Sequence, residues 1–196
     1  MAKQVQKDEF PVSRTRNVKG TRHMAREKVL QVLAATMETE VSLDAVFPHV
    51  FYRQFTFDAG NPPEDDQRIL RPDEVLELEA DVPIEWTSED IDYAMNLIIA
   101  TRDMRETSQA LIDRHAKNWD LERIALLDRV LMHMAIAELV SCADIPVKVT
   151  INEVIELGKQ YSTDKSGTFI NGILDAIIAD LQAEGRIRKS GRGLVE

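Results

Sequence analysis

Three observations predict an all-α fold. Apolar residues recur at three-and-four spacing in every strongly patterned segment, no stretch sustains the alternation of a strand, and helix start and stop residues flank the segments. A chain of 196 residues lies within the range of one domain, and 44% hydrophobic content is enough for a sizeable core. The expected organisation is a flexible basic tail at 1–19, a helical body at 20–185 with an acidic insertion at about 58–81, and a basic tail at 186–196.

The elements follow in order. Ala25, Val29, Val32, Leu33 and Thr36 share one face of a helix expected at about 21–37. Ser42 can cap a second helix through Val46 and Val50 toward Phe55, with Pro48 tolerated only in its first turns. Residues 58–81 read as an exposed acidic excursion holding a short amphipathic piece with Val75, Leu76 and Leu78. Thr87 or Ser88 caps a long helix through Ile91, Ala94, Met95, Ile98, Leu111 and Ile112. The polar stretch between Arg102 and Gln109 leaves a kink or a break open. The cleanest amphipathic pattern falls at about 121–142, with Ile124, Leu127, Leu131, Met134 and Leu139 on one side and Arg123, Asp128, Arg129 and Glu138 interleaved. Pro146 ends the turn after it. Thr150 and Glu153 match a capping box that would open a helix running to Tyr161. A last helix is expected at about 166–184 through Phe169, Ile173, Ile177 and Leu181, with Gly185 as its stop.

Charge is distributed unevenly. The formal net charge is −10, yet residues 1–28 carry +5 and residues 186–196 add four basic side chains against Glu196. The body between them holds 12 basic and 30 acidic residues. Such asymmetry suggests two different partners, one anionic and one cationic. A secretory signal and a membrane span are both absent from the pattern, so a soluble, cytoplasmic protein without membrane contact is expected. The single cysteine, Cys142, has no second thiol for a disulfide or a zinc site. His23, His49, His115 and His133 are scattered without metal-ligand spacing, and no glycine loop precedes a helix as a phosphate cradle would, so no cofactor is expected. Ser162 and Lys165 formally match S-x-x-K, but they overlap the next element and lack the mixed sheet that such hydrolases need. The expectation is a protein that is not an enzyme.

Two local features point to nucleic acid. Arg22 and Arg26, four residues apart, share a face of the first helical turns, a phosphate-gripping spacing whose plainer alternative is a solvated helix surface. Tyr161 and Phe169 bracket a polar loop containing Lys165, and aromatic faces beside cations hold unpaired bases; Phe169 also fits the core stripe.

The C-terminal half resembles the NusB family. The resemblance runs through Trp119, Leu121, Arg123, Ile124, Asp128, Arg129, Leu131, Met132, Ala135, Glu138 and Leu139, then the run from Asp144 to Glu153, Glu156-Leu157-Gly158-Lys159, Ser166, and Phe169 to Asp175. Ala25-Arg26-Glu27 and Gln31 extend it to the first helix. The resemblance implies a compact bundle of about seven helices, monomeric or homodimeric, that binds the boxA element of nascent ribosomal RNA with the ribosomal protein NusE. Its setting would be the antitermination complex on RNA polymerase. It places the RNA surface on Arg22, His23, Arg26, Tyr161, Lys165 and Phe169. The sequence departs from the family in a thinner arginine run, in Lys165 where an acidic residue is common, and in the long acidic insertion. On charge complementarity, the NusE contact is expected on the acidic body, with Glu122 and Asp128 as candidates on the exposed side of their helix. Two rivals are a helical protein-binding scaffold without RNA binding and a stand-alone relative of the NusB-like domain of ribosomal RNA methyltransferases.

Overall fold

The computed structural model describes residues 18–37, 39, 41–52, 84–116 and 124–189. Among them are seven helices: α1 (Arg22–Met37), α2 (Leu43–Tyr52), α3 (Ser88–Asp103), α4 (Arg105–His115), α5 (Leu126–Ser141), α6 (Val147–Tyr161) and α7 (Ser166–Ala183). The acidic segment at 58–81 lies outside the described residues. Among the described residues no helix is long and apolar enough to cross a membrane.

Local chemistry accounts for several helix ends. Thr21 Oγ1 accepts from the Met24 amide and Ser42 Oγ from the Ala45 amide, so hydroxyls meet otherwise orphaned donors at the starts of α1 and α2. Thr87 caps α3 reciprocally: its hydroxyl accepts from the Asp90 amide and donates to the Asp90 carboxylate. The polar stretch after Arg102 resolves as a break at Met104, between α3 and α4. Gly185 ends α7 at φ 65°, a left-handed conformation that lets the amides of Gly185 and Arg186 reach the carbonyls of Gln182 and Leu181.

Three sequence expectations change. Helix α5 begins at Leu126, later than the pattern suggested, after the non-helical Ile124 and Ala125. Nor is it amphipathic: every residue from Val130 to Leu139 is buried, because α5 is the central helix, in contact with α1, α3, α4, α6 and α7. The capping box does not form. Pro146 precedes the first helical residue of α6, and its carbonyl accepts from Val149 and Thr150, so Thr150 falls inside the helix, fully buried. Glu153 is thereby free to pair with α1.

The boundaries of the tails also shift. Val18 and Lys19 pair in parallel with Ile84 and Glu85, a two-stranded contact absent from the sequence reading. Gly20 is needed there, since a Cβ on it would lie 2.5 Å from the Trp86 ring. Trp86 in turn packs on Phe51 and donates to its carbonyl at 3.1 Å. At the other end Ile187 packs on the core, and Lys189 Nζ donates to the carbonyls of Glu138 and Cys142, occupying acceptors at the C-terminus of α5.

Candidate nucleic-acid interface

The start of α1 separates its two arginines. The Arg22 side chain is 42% exposed; it donates to the Glu89 carbonyl at 2.9 Å, lies 3.6 Å from the Asp90 carboxylate, and rests 4.5 Å over the Tyr93 ring. These contacts hold the guanidinium at the surface in a fixed orientation. Arg26 is 2% exposed. Its Nε donates to Glu138 Oε1 at 2.9 Å, its Nη1 lies 3.4 Å from Glu153 Oε2, and it stands 5.4 Å from the Tyr93 ring. The Tyr93 hydroxyl donates to the same Glu138 oxygen. Burial by itself would lower the Arg26 pKa, but the charges of Glu138 and of the groups around it outweigh burial and raise it. Burial, reinforced by Glu138, pushes the Tyr93 phenol up as well. The expectation that Arg26 grips phosphate is therefore corrected: its side chain joins α1 to α3, α5 and α6 inside the protein, where no phosphate reaches it. Four-residue spacing puts two side chains on one face, but only packing decides whether that face meets water.

His23 stays at the surface, its Nδ1 2.9 Å from Glu153 Oε2. One turn further along α1, Glu27 accepts from the Tyr161 hydroxyl at 2.6 Å. These two contacts lay α1 along α6, with His23 against its middle and Glu27 against its end. The loop after Tyr161 carries Lys165, exposed and immediately before α7.

Phe169 lies elsewhere. Half-buried, it lines a groove of about 810 Å³ with His115, Ile124, Asp128, Lys165 and Ile173, and Tyr161 is not among the lining residues. Thus the two aromatics that bracket the loop in sequence face different surroundings: Phe169 shares the groove with Lys165, and Tyr161 bonds to Glu27 of α1. The loop itself is organised by Ser166, whose hydroxyl accepts from the Thr163 amide at 3.0 Å and donates to Asp128 Oδ2 at 2.9 Å. Asp128 is 5% exposed, which corrects its placement on an outer helix face. It sits in the first turn of α5, pointing toward the start of α7, and fixes the loop rather than offering its charge to a partner. Glu122, the companion candidate, lies outside the described residues.

The sequence reading missed Asp90, Tyr93, Glu138, Glu153 and Glu27 as the side chains that orient this face. All are distant in sequence from the groups they hold, and no local spacing marks them.

The NusB family pattern matches residues 52–179. The transcription antitermination protein NusB of Salinibacter ruber is 44% identical over 114 residues, covering 58% of this chain and 71% of that protein. The protein of the same name from Chloroherpeton thalassium is 54% identical over 85 residues, 43% of this chain and 40% of that one. Among solved structures, NusB of T. maritima aligns with a TM-score of 0.60 and 25% identity over 83% of this chain and 94% of its own. A structure of the antitermination factors NusB and NusE in complex with dsRNA aligns with a TM-score of 0.58 and 19% identity over 81% of this chain and 96% of that one, a likeness of fold. Since the family pattern spans more than half of the chain and the Salinibacter relative is covered over 71% of its length, the chain belongs to the NusB family.

Proposed function

We propose that this protein is a transcription antitermination factor that binds the boxA element of nascent ribosomal RNA as unpaired RNA, together with NusE, within the antitermination complex on RNA polymerase. Support comes from family membership and from a fold neighbour that was solved with NusE and dsRNA. The observation that carries the reading is the packing of the α1 start along α6. It sets His23 and Glu27 against α6, with Glu27 reaching Tyr161 just before the Lys165 loop, while Arg22 rests on α3 at the same helix start.

In this reading Arg22 and Lys165 neutralise phosphates, and His23 adds a donor at the same edge. Arg22 is held in advance by Tyr93 and the Glu89 carbonyl, which lowers the ordering cost of binding. Tyr161 offers a ring face to one base, and Phe169 offers another beside the groove. NusE, a basic partner in this account, is attracted by the acidic body, with Glu122 retained as the candidate contact.

The test is retention of boxA RNA by the purified protein with NusE present, measured across a salt series. Binding that exceeds that of an RNA lacking the element, and that weakens as salt rises, is the expected result. Salt-insensitive binding of the protein partner with no RNA retained would overturn the reading in favour of a scaffold.

A further inference from the structure

The Tyr161 hydroxyl is fully engaged where α1 meets the end of α6: it donates to Glu27 Oε1 at 2.6 Å and accepts from Gln160 Nε2 at 3.0 Å. Tyr161 closes α6, and its ring is half-buried against the core. A ring at a helix end, tied down by nothing, must give up its rotational freedom when a base stacks on it, and that loss weakens binding. A hydrogen bond to a charged acceptor removes the freedom beforehand.

Glu27 is also one turn from His23, beside the proposed phosphate path. A carboxylate there repels phosphate. Its direct electrostatic effect on RNA is therefore unfavourable, and any favourable contribution has to be geometrical.

We propose that Glu27 is a positioning residue of the RNA site, holding the Tyr161 ring in the orientation on which a base stacks and tying the α1 half of the site to the α6–α7 half. The inference rests on the RNA-binding reading of this face. Glu27 itself touches no base.

Two substitutions separate geometry from charge. Glu27→Gln keeps an acceptor and removes the charge, whereas Glu27→Ala removes both, so their difference reports the hydrogen bond. With NusE present and salt fixed, the Gln variant is expected to bind boxA RNA about tenfold more tightly than the Ala variant. In a Tyr161→Phe background that difference is expected to vanish. Equal affinities of the Gln and Ala variants would overturn the proposal, and so would a difference that persists without the phenol.

A second readout needs no RNA. The difference in tyrosinate absorbance between the protein and its Tyr161→Phe variant isolates this phenol, which burial, followed by the Glu27 hydrogen bond and charge, pushes up to about 12. At about pH 11, with helicity retained, a larger fraction of it is expected to be ionised in Glu27→Ala than in the parent, because the Glu27 hydrogen bond and charge are removed while burial remains. Unchanged ionisation in Glu27→Ala would show that the tether does not form, and would overturn the proposal. A shifted titration in a protein that retains no RNA would overturn the RNA reading instead, and with it the purpose assigned to the tether.

Discussion

Arg22 and Arg26 stand one helical turn apart on α1, yet the side chain of the first is 42% exposed over the Tyr93 ring while the second is buried against Glu138. They are the same residue type, on the same helix, at a spacing that shares a face. What divides them is the depth of α3, α5 and α6 at each position. At Arg26 those helices supply two carboxylates and a phenol that replace water around the guanidinium. At Arg22 only α3 of these helices is close, and it supplies a carbonyl, the Asp90 carboxylate at 3.6 Å and an aromatic face, which orient the charge and leave it partly open to solvent. The buried centre holds the fold together, and the exposed edge is where the proposed RNA contact falls.

The most forceful way to break the comparison is at the buried centre. Arg26→Ala leaves the Glu138 carboxylate inside the protein without its cation, a change that costs about 3–5 kcal/mol. For a chain of this size the melting temperature is expected to fall by roughly 10 °C, at about 2–4 °C per kcal/mol. A melting temperature within 2 °C of the parent, allowing about one degree for error, would put Arg26 on the surface and erase the distinction.

At the exposed edge the effect should move from stability to affinity. Tyr161→Ala is expected to weaken boxA binding by on the order of 1–3 kcal/mol while leaving the salt slope nearly unchanged, because stacking neutralises no phosphate. Isothermal titration at two salt concentrations checks both parts. Phe169→Ala is the less clean probe, since that ring also packs against the core and its loss should lower the melting temperature as well.

These contrasts explain what could be read from the sequence. The extents of α1 and α7 were legible because caps and apolar period agree there: Thr21 and Gly185 sit where the pattern starts and stops. Helix α5 was misread for a physical reason. Periodicity treats a charged residue as outward-facing, but Asp128 and Glu138 point inward and find Ser166, Arg26 and Tyr93 on other helices. The T-x-x-E match at Thr150 failed because Pro146 starts the helix a turn earlier, which releases Glu153 to pair with His23 and Arg26. For the candidate site, the sequence marked the α1 start and the α6–α7 loop as expectations. The contacts of His23 with Glu153 and Glu27 with Tyr161 that lay α1 along α6 are encoded by no local spacing.

Two smaller effects sharpen the contrast. The raised Tyr161 pKa means the folded state holds its phenol proton more tightly than the unfolded chain. Its stabilisation is present below the unfolded value of roughly 10 and is lost as pH rises toward about 12. The stability advantage of the parent over Tyr161→Phe should therefore shrink between pH 9 and pH 11, roughly the span approaching that titration, as followed by thermal melts. Smallest of all is the exposed pair at Asp180, whose carboxylate is held below its usual range by hydrogen bonds from His115 and then Arg114. Asp180→Asn is expected to leave the melting temperature at neutral pH unchanged, as solvent screens such pairs. A clear drop would mean that this surface contact acts like the buried one.

The division between the two arginines is tested most directly by the salt dependence of boxA affinity, with NusE present, for Arg22→Ala beside Arg26→Gln. The account predicts that Arg22→Ala makes the slope of log affinity against log salt shallower by roughly 0.7, the single-strand value for one lost phosphate contact. Arg26→Gln should lower the melting temperature and keep the parental slope. The reverse pattern, a parental slope in Arg22→Ala and a shallower one in a stably folded Arg26→Gln, would contradict it.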